Sequence, residues 1–172
     1  MMRMFHPILL AAIAVLLCGA LNLRADDAPK PGTGEIKDLK QVTAEIPHEV
    51  LLGLMNYSGR ETAAARGMDA LREKVEGKMA TLKFKVDRVE KEEIHDQAPQ
   101  AYRIKAEDTH VRQGAVNFKV YLWVHFSASE SAKVSAMKKG EEVTATGKVT
   151  VAALHAPKEP EINIDISDST VN

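Results

Sequence analysis

The stretch 116–126 alternates without interruption between apolar residues and residues of mixed character. Its apolar positions are Val116, Phe118, Val120, Leu122, Val124 and Phe126. A spacing of two puts all six side chains on one face of a β-strand, whereas a helix would spread them around its axis. A strand with one wholly apolar face needs a second layer to cover it. The stretch therefore predicts a sheet folded around a buried core.

Four other segments show the same alternation, so five strands are predicted in total. The four are residues 78–89, 102–106, 143–151 and 162–166. In the fourth strand, every second residue from Val143 to Val151 is predicted to face the core. The polar stretch 107–114, between the second and third strands, indicates a turn.

A short helix is predicted between the third and fourth strands. Ser127 and Glu130 have the spacing of a capping box, in which each side chain binds a backbone N–H near the other residue. Val134 and Met137 then face inward at helical spacing, and Gly140 ends the helix.

Two further helices are predicted before the sheet. Residues 47–55 begin with a proline, which suits a first helical turn because it has no N–H to satisfy. Residues 60–76 carry one apolar stripe, made of Ala64, Met68, Leu71 and Val75. Gly77 follows as a left-handed C-terminal cap.

This order of elements predicts a fold that is mostly β with some α. Five short strands with a helix between strands 3 and 4 describe a five-stranded OB-fold barrel, preceded here by two N-terminal helices. The alternative is an open antiparallel sheet with helices packed on one face, since it would also cover the apolar side of each strand.

Residues 1–25 are predicted to be a secretory signal peptide. Arg3 precedes the apolar run 8–19, and a small residue, Ala25, ends the segment. The run is shorter than the roughly 20 residues that a spanning helix needs, so no permanent membrane span is expected. Cys18 follows Leu17 rather than a small residue, and we do not expect lipid anchoring there. The protein should therefore be exported and either periplasmic or secreted.

The remaining 147 residues have the length of one ordinary domain. Residues 26–44 are predicted to be a flexible linker, because their first part is polar and rich in Pro and Gly. Residues 45–172 are predicted to form a single OB-fold-like domain that includes the two helices.

Two motifs resemble small OB-fold domains of exported bacterial proteins. Gly77–Leu82, a Gly-Lys pair followed by an alternating strand, resembles the opening of their first strand. Lys139–Val149 resembles their fourth strand, which runs Lys-Gly-acid-x-Val-x-Val-x-Gly-Lys-Val. Over roughly residues 47–171 the chain thus resembles the tRNA-anticodon-binding-like OB-fold family of exported bacterial proteins. The resemblance implies the barrel and no catalytic residue, and the family name denotes fold kinship rather than tRNA binding.

The sequence offers little for catalysis. Its histidines lack the paired spacing of a zinc site, and both the G-x-S-x-G motif and a phosphate-binding glycine loop are absent. We therefore expect no enzymatic activity, no metal and no cofactor. Loss of Arg3 and Arg24 with the leader would lower the net charge from −1 to −3. General nucleic-acid binders are usually strongly basic, so nucleic acid is not expected as a partner.

The outer face of strands 2 and 3 is the usual ligand platform of an OB-fold. Here it is predicted to present Arg103, Lys105, Lys119, Tyr121, Trp123 and His125. Aromatic rings beside cations can stack bases or sugars and hold phosphates. Alternatively, Tyr121 and Trp123 pack beneath the N-terminal helices, which also need an apolar surface.

The predicted function is an exported, non-enzymatic binding module whose partner is an envelope protein, a peptide or a glycan. Single-stranded nucleic-acid binding is the alternative, which the aromatic and basic residues of the third strand favour and the net charge disfavours.

Overall fold

The computed structural model describes residues 34–92 and 101–172. The predicted signal peptide, Cys18 and residues 26–33 of the predicted linker lie outside these ranges. Within them, no helix combines the length and the apolar character needed to cross a bilayer.

Seven strands and four α-helices make up the described part of the chain. The strands are β1 (Glu35–Ile36), β2 (Met79–Lys91), β3 (Tyr102–Ala106), β4 (Thr109–Gln113), β5 (Val116–Phe126), β6 (Glu142–His155) and β7 (Glu161–Val171). The helices are α1 (Leu39–Ala44), α2 (His48–Met55), α3 (Arg60–Lys74) and α4 (Ser131–Ser135).

Five strands close into a barrel in the order β2-β3-β5-β7-β6, and β6 pairs back with β2 over Met79–Lys85. The β5–β7 pair is parallel, and the other barrel pairs are antiparallel. A five-stranded barrel with a helix between its third and fourth strands is an OB-fold. The predicted fold class is confirmed, and the β2–β6 pairing excludes the open sheet.

The core of the barrel is built from the alternating positions that the sequence predicts. All six apolar residues of β5 are buried, and Phe118 is among the largest side chains that are fully buried. Val134 of α4 is also fully buried, so the helix between β5 and β6 contributes one side chain to the same core. The two predicted N-terminal helices correspond to α2 and α3, and Gly77 after α3 has a left-handed φ of 85°.

The capping box predicted at Ser127 is wrong. The Ser127 hydroxyl lies 2.8 Å from that of Ser129 instead of capping the helix. The Glu130 carboxylate accepts from the Val171 N–H at 3.3 Å, and it pairs with Lys133. A short 3-10 turn therefore leads into α4, because the side chains that could cap it are bound elsewhere.

The polar stretch 107–114 contains a strand, β4, where the sequence predicts a turn. β4 pairs with β5 over its whole length. Only Val111 of its five residues is buried, so the strand has too little apolar alternation for the sequence to indicate it.

The core face of β6 changes partway along the strand. Val151, predicted to face the core, is 37% exposed, while Ala152 and Leu154 are buried. The pairing with β7 shifts register between Thr146 and Lys148 and again between Val149 and Val151. A bulge adds one residue to a strand, which moves the side chains after it to the other face.

Residues 34–44 differ from the flexible linker predicted there. β1 pairs in parallel with the start of β2, and α1 buries Val42. Asp38 caps α1: its carboxylate accepts from the Lys40 N–H at 2.9 Å, and the Gln41 side chain accepts from the Asp38 N–H at 3.1 Å. This reciprocal capping box holds a helix of only six residues, which is too short to form alone.

We expect Asp38→Ala to lower the free energy of unfolding by about 1 kcal/mol, the usual cost of losing an N-cap. Asp38→Asn should stay near the wild-type value because asparagine caps equally well. Urea unfolding of both variants measures the difference. Equal stabilities for Ala and Asn would contradict a capping role.

The barrel wall has a gap between β2 and β4. Along Thr81–Lys85, β2 pairs with β6 on one edge only. On its other edge, β2 pairs with β1 as far as Ala80 and with β3 from Val86 onward. α1 packs against β4 beside this gap. A cavity of about 520 Å³ lies there, with core residues such as Leu82 and Phe84 in its lining and Lys40 among its polar side chains.

Candidate functional site

All six predicted site residues lie together on the outer face of β3 and β5. The β3–β5 register places Arg103 opposite His125 and Lys105 opposite Trp123. Each of the six is partly exposed, because the alternation that buries one side of β5 turns the other side outward. We call this surface the β3–β5 face.

Trp123 is flanked by two arginines that share one carboxylate. The guanidinium carbons of Arg103 and Arg88 lie 4.5 Å and 5.1 Å from the indole centroid, within cation–π range. Glu90 accepts from Arg88 Nε at 2.6 Å through one oxygen, and from Arg103 Nη2 at 2.6 Å and Nε at 2.9 Å through the other. These four residues form the tryptophan cluster.

Tyr121 repeats this arrangement with lysines. Lys119 Nζ and Lys105 Nζ lie 4.8 Å and 5.6 Å from the phenol ring centroid. Asp108 joins the two ammonium groups, at 2.8 Å from Lys105 and 3.3 Å from Lys119. These four residues form the tyrosine cluster, next to the tryptophan cluster on the same strand.

His125 lies at the end of the face between two carboxylates. Its Nδ1 contacts Glu92 directly, and its Nε2 is 3.9 Å from Asp165 of β7. Burial raises the pKa of Asp165, and the nearby His125 partly opposes that effect. The imidazole is therefore held by carboxylates on both sides.

The bridging carboxylates are ionised at neutral pH. Hydrogen bonds from Arg88 and Arg103 lower the pKa of Glu90. Burial acts to raise the pKa of Asp108, but hydrogen bonds from Lys105 and Lys119 outweigh it and lower that pKa as well. Hydrogen bonds to Tyr121 and Asp108 raise the pKa of Lys119. Each cluster thus carries two positive charges and one negative charge.

Sequence reasoning missed Arg88, Glu90, Asp108 and Asp165. Arg88 and Glu90 follow a register shift between Val86 and Arg88 in the β2–β3 pairing, so alternation from the start of β2 does not show which face they take. Asp108 lies in the segment predicted as a turn. Asp165 joins the site only because β7 pairs in parallel with β5 and sets it opposite Trp123.

The rings of Tyr121 and Trp123 are partly exposed and flanked by charged side chains of β2, β3 and β5. α3 packs instead on β6, where Gly67 approaches Leu154. The structure therefore places these rings on an accessible face rather than beneath the N-terminal helices.

Metal-ligating groups do not converge in this part of the chain. Across residues 34–92 and 101–172, no three His, Cys, Asp or Glu side chains are grouped so that they could hold a metal ion.

Comparisons with known proteins give structural neighbours only. No family model matches the chain, and no curated protein matches it. A candidate nucleic acid-binding lipoprotein from Klebsiella pneumoniae is similar at 13% identity and a TM-score of 0.41, over 83% of this chain and 99% of its own. A small single-stranded DNA-binding protein from Streptomyces coelicolor is similar at 8% identity and a TM-score of 0.34, over 56% of this chain and 94% of its own. An asparaginyl-tRNA synthetase from Entamoeba histolytica is similar at 15% identity and a TM-score of 0.30, over 56% of this chain and 21% of its own.

These neighbours correct one expectation from the sequence. Net charge sets nucleic acid aside as a partner, and this expectation is corrected because the similar structures include proteins named as nucleic acid-binding and single-stranded DNA-binding. Net charge describes the whole surface, whereas a ligand meets the local arrangement of groups, and here each of two aromatic rings lies in cation–π range of two cations that a carboxylate bridges. The OB-fold itself rests on the barrel, and the particular family suggested above rests on its sequence motifs.

Proposed function

We propose that the chain is an exported, non-enzymatic OB-fold module that binds a single-stranded oligonucleotide on its β3–β5 face. The observation that carries the proposal is the pair of adjacent clusters, each with one aromatic ring and two cations. Rings that stack bases beside cations that hold phosphates are the means by which OB-folds bind single strands. Export follows from the predicted leader.

The spacing of the rings favours a single strand over a duplex. Tyr121 and Trp123 are two residues apart on β5, so their attachment points are about 6.7 Å apart. Successive bases in a stacked strand are separated by about 3.4 Å. A strand that uses both rings therefore has to unstack its bases, which a duplex resists.

A fluorescence titration tests this function. Trp123 is the only tryptophan of the chain, so we expect oligodeoxythymidylate at low salt to quench its emission. The apparent affinity should fall as salt rises, because phosphate contacts release counterions. A duplex of equal length is the control and should bind more weakly. Unchanged emission, together with unchanged anisotropy of a labelled oligonucleotide, would contradict the proposal.

A peptide or glycan of the cell envelope is the second candidate. The observation that favours it is the acidic content of the same face, where Glu92 and Asp165 flank His125 and the bridging carboxylates lie beside the rings. Such mixed charge suits a ligand that carries both signs. A failed oligonucleotide titration would leave this candidate in place.

A further inference from the structure

Glu90 and Asp108 are the features of the face that oligonucleotide binding does not explain. Each carboxylate lies between the two cations of its cluster, where an anionic ligand group would bind. Arginine binds carboxylate and phosphate with the same forked geometry. Each cluster therefore already holds an anion of the protein itself at the position where a ligand anion would bind.

The two carboxylates act in opposite directions on a ligand. They hold four long side chains in place beside the rings, which reduces the entropy that a ligand would otherwise lose in ordering them. They also compete with the ligand, because a phosphate in either cluster meets a negative charge that is already bound. Which of these effects is larger decides what the site accepts.

We propose that Glu90 and Asp108 are specificity-determining residues that reject single anions and admit a strand with successive phosphates. This inference rests on the proposed function. A lone phosphate gains one cluster only and must displace a carboxylate that already lies 2.6–3.3 Å from its two cations. An oligonucleotide contacts both clusters and both rings in one binding event, because its second phosphate binds intramolecularly once the first is in place.

The test is the pair Glu90→Gln and Asp108→Asn, which keep the shape of each side chain and remove its charge. We expect each variant to bind an oligodeoxythymidylate about two- to fivefold more tightly than wild type, the upper part of the range for one exposed charge interaction. The double variant should also lose discrimination: its affinity for thymidine monophosphate should rise more than its affinity for the oligonucleotide.

Glu142→Gln is the matched control. Glu142 lies on β6, away from the face, and pairs with Lys83 at 2.6 Å, so this variant makes the same change in net charge without altering either cluster. Its oligonucleotide affinity should stay within about twofold of wild type. The urea midpoints of all variants establish that each is folded.

The outcomes distinguish a failure of the role given to the two carboxylates from a failure of oligonucleotide binding itself. If wild type binds and the cluster variants bind no more tightly than Glu142→Gln, the carboxylates only order the cations and the inference is overturned. A decrease in affinity overturns it in the same way. If neither wild type nor the cluster variants bind any oligonucleotide, the proposed function itself fails, and the inference with it.

Discussion

Gly147→Ala should destabilise this protein by about 3 kcal/mol, the upper end of the usual cost of overpacking, because the added methyl group meets backbone rather than a movable side chain. A Cβ at Gly147 would lie 2.7 Å from the Ser167 carbonyl oxygen and 2.7 Å from Ile166 Cγ2, and it would also meet the Ser169 hydroxyl. The carbonyl belongs to β7, so relief requires separating β6 from β7 next to their bulge.

Gly59→Ala is the control for this prediction. A Cβ there meets only the Gly53 carbonyl oxygen, at 3.9 Å, an ordinary contact distance. Its unfolding free energy should therefore remain within about 1 kcal/mol of wild type. Urea unfolding of the two variants measures the contrast. A Gly147→Ala protein as stable as Gly59→Ala would show that β6 and β7 are not packed as closely as described.

Replacing both Tyr121 and Trp123 by alanine should weaken oligonucleotide binding by at least about 30-fold. Stacking contributes about 1–3 kcal/mol per base, and the two rings of the β3–β5 face offer two stacking positions. The rings also support their cations, which lie within 6 Å of the centroids. Anisotropy of a labelled oligonucleotide is the measurement, since this variant contains no tryptophan.

Tyr57→Ala serves as its control. Tyr57 is 87% exposed, lies between α2 and α3 and also has a nearby cation, Arg60, at 5.8 Å. It thus provides an aromatic–cation pair outside the face, and its loss should leave affinity unchanged. Equal losses in both variants would show that binding is not confined to the β3–β5 face.

The sequence was informative wherever one strand carried its own pattern. The alternation of residues 116–126 predicts β5 with its bounds as found, and the outward positions of β5 and β3 place all six predicted residues on one face. Five such strands and one intervening helix predicted the barrel. These features are local, so neighbouring residues are enough to indicate them.

The remaining features depend on pairing between distant segments. Glu90 reaches Arg103 because a register shift in β2 sets the two side by side, and Asp165 reaches His125 through the parallel β5–β7 pair. Register of this kind is fixed by the whole barrel. α1 was missed for a related reason: its six residues owe their helix to the Asp38 cap and to burial of Val42, rather than to an extended apolar stripe.

The segment beside the gap between β2 and β4 should open locally at a lower free-energy cost than the barrel. α1 covers one side of the gap through side-chain packing, and β1 adds only a two-residue pairing to β2. Detachment of β1 and α1 breaks no strand pair of the five-stranded barrel, so this local opening needs less free energy than global unfolding. The β3–β5 face belongs to the strands that stay closed. Backbone amides of α1 should therefore exchange with solvent through a partial opening that leaves both aromatic clusters assembled.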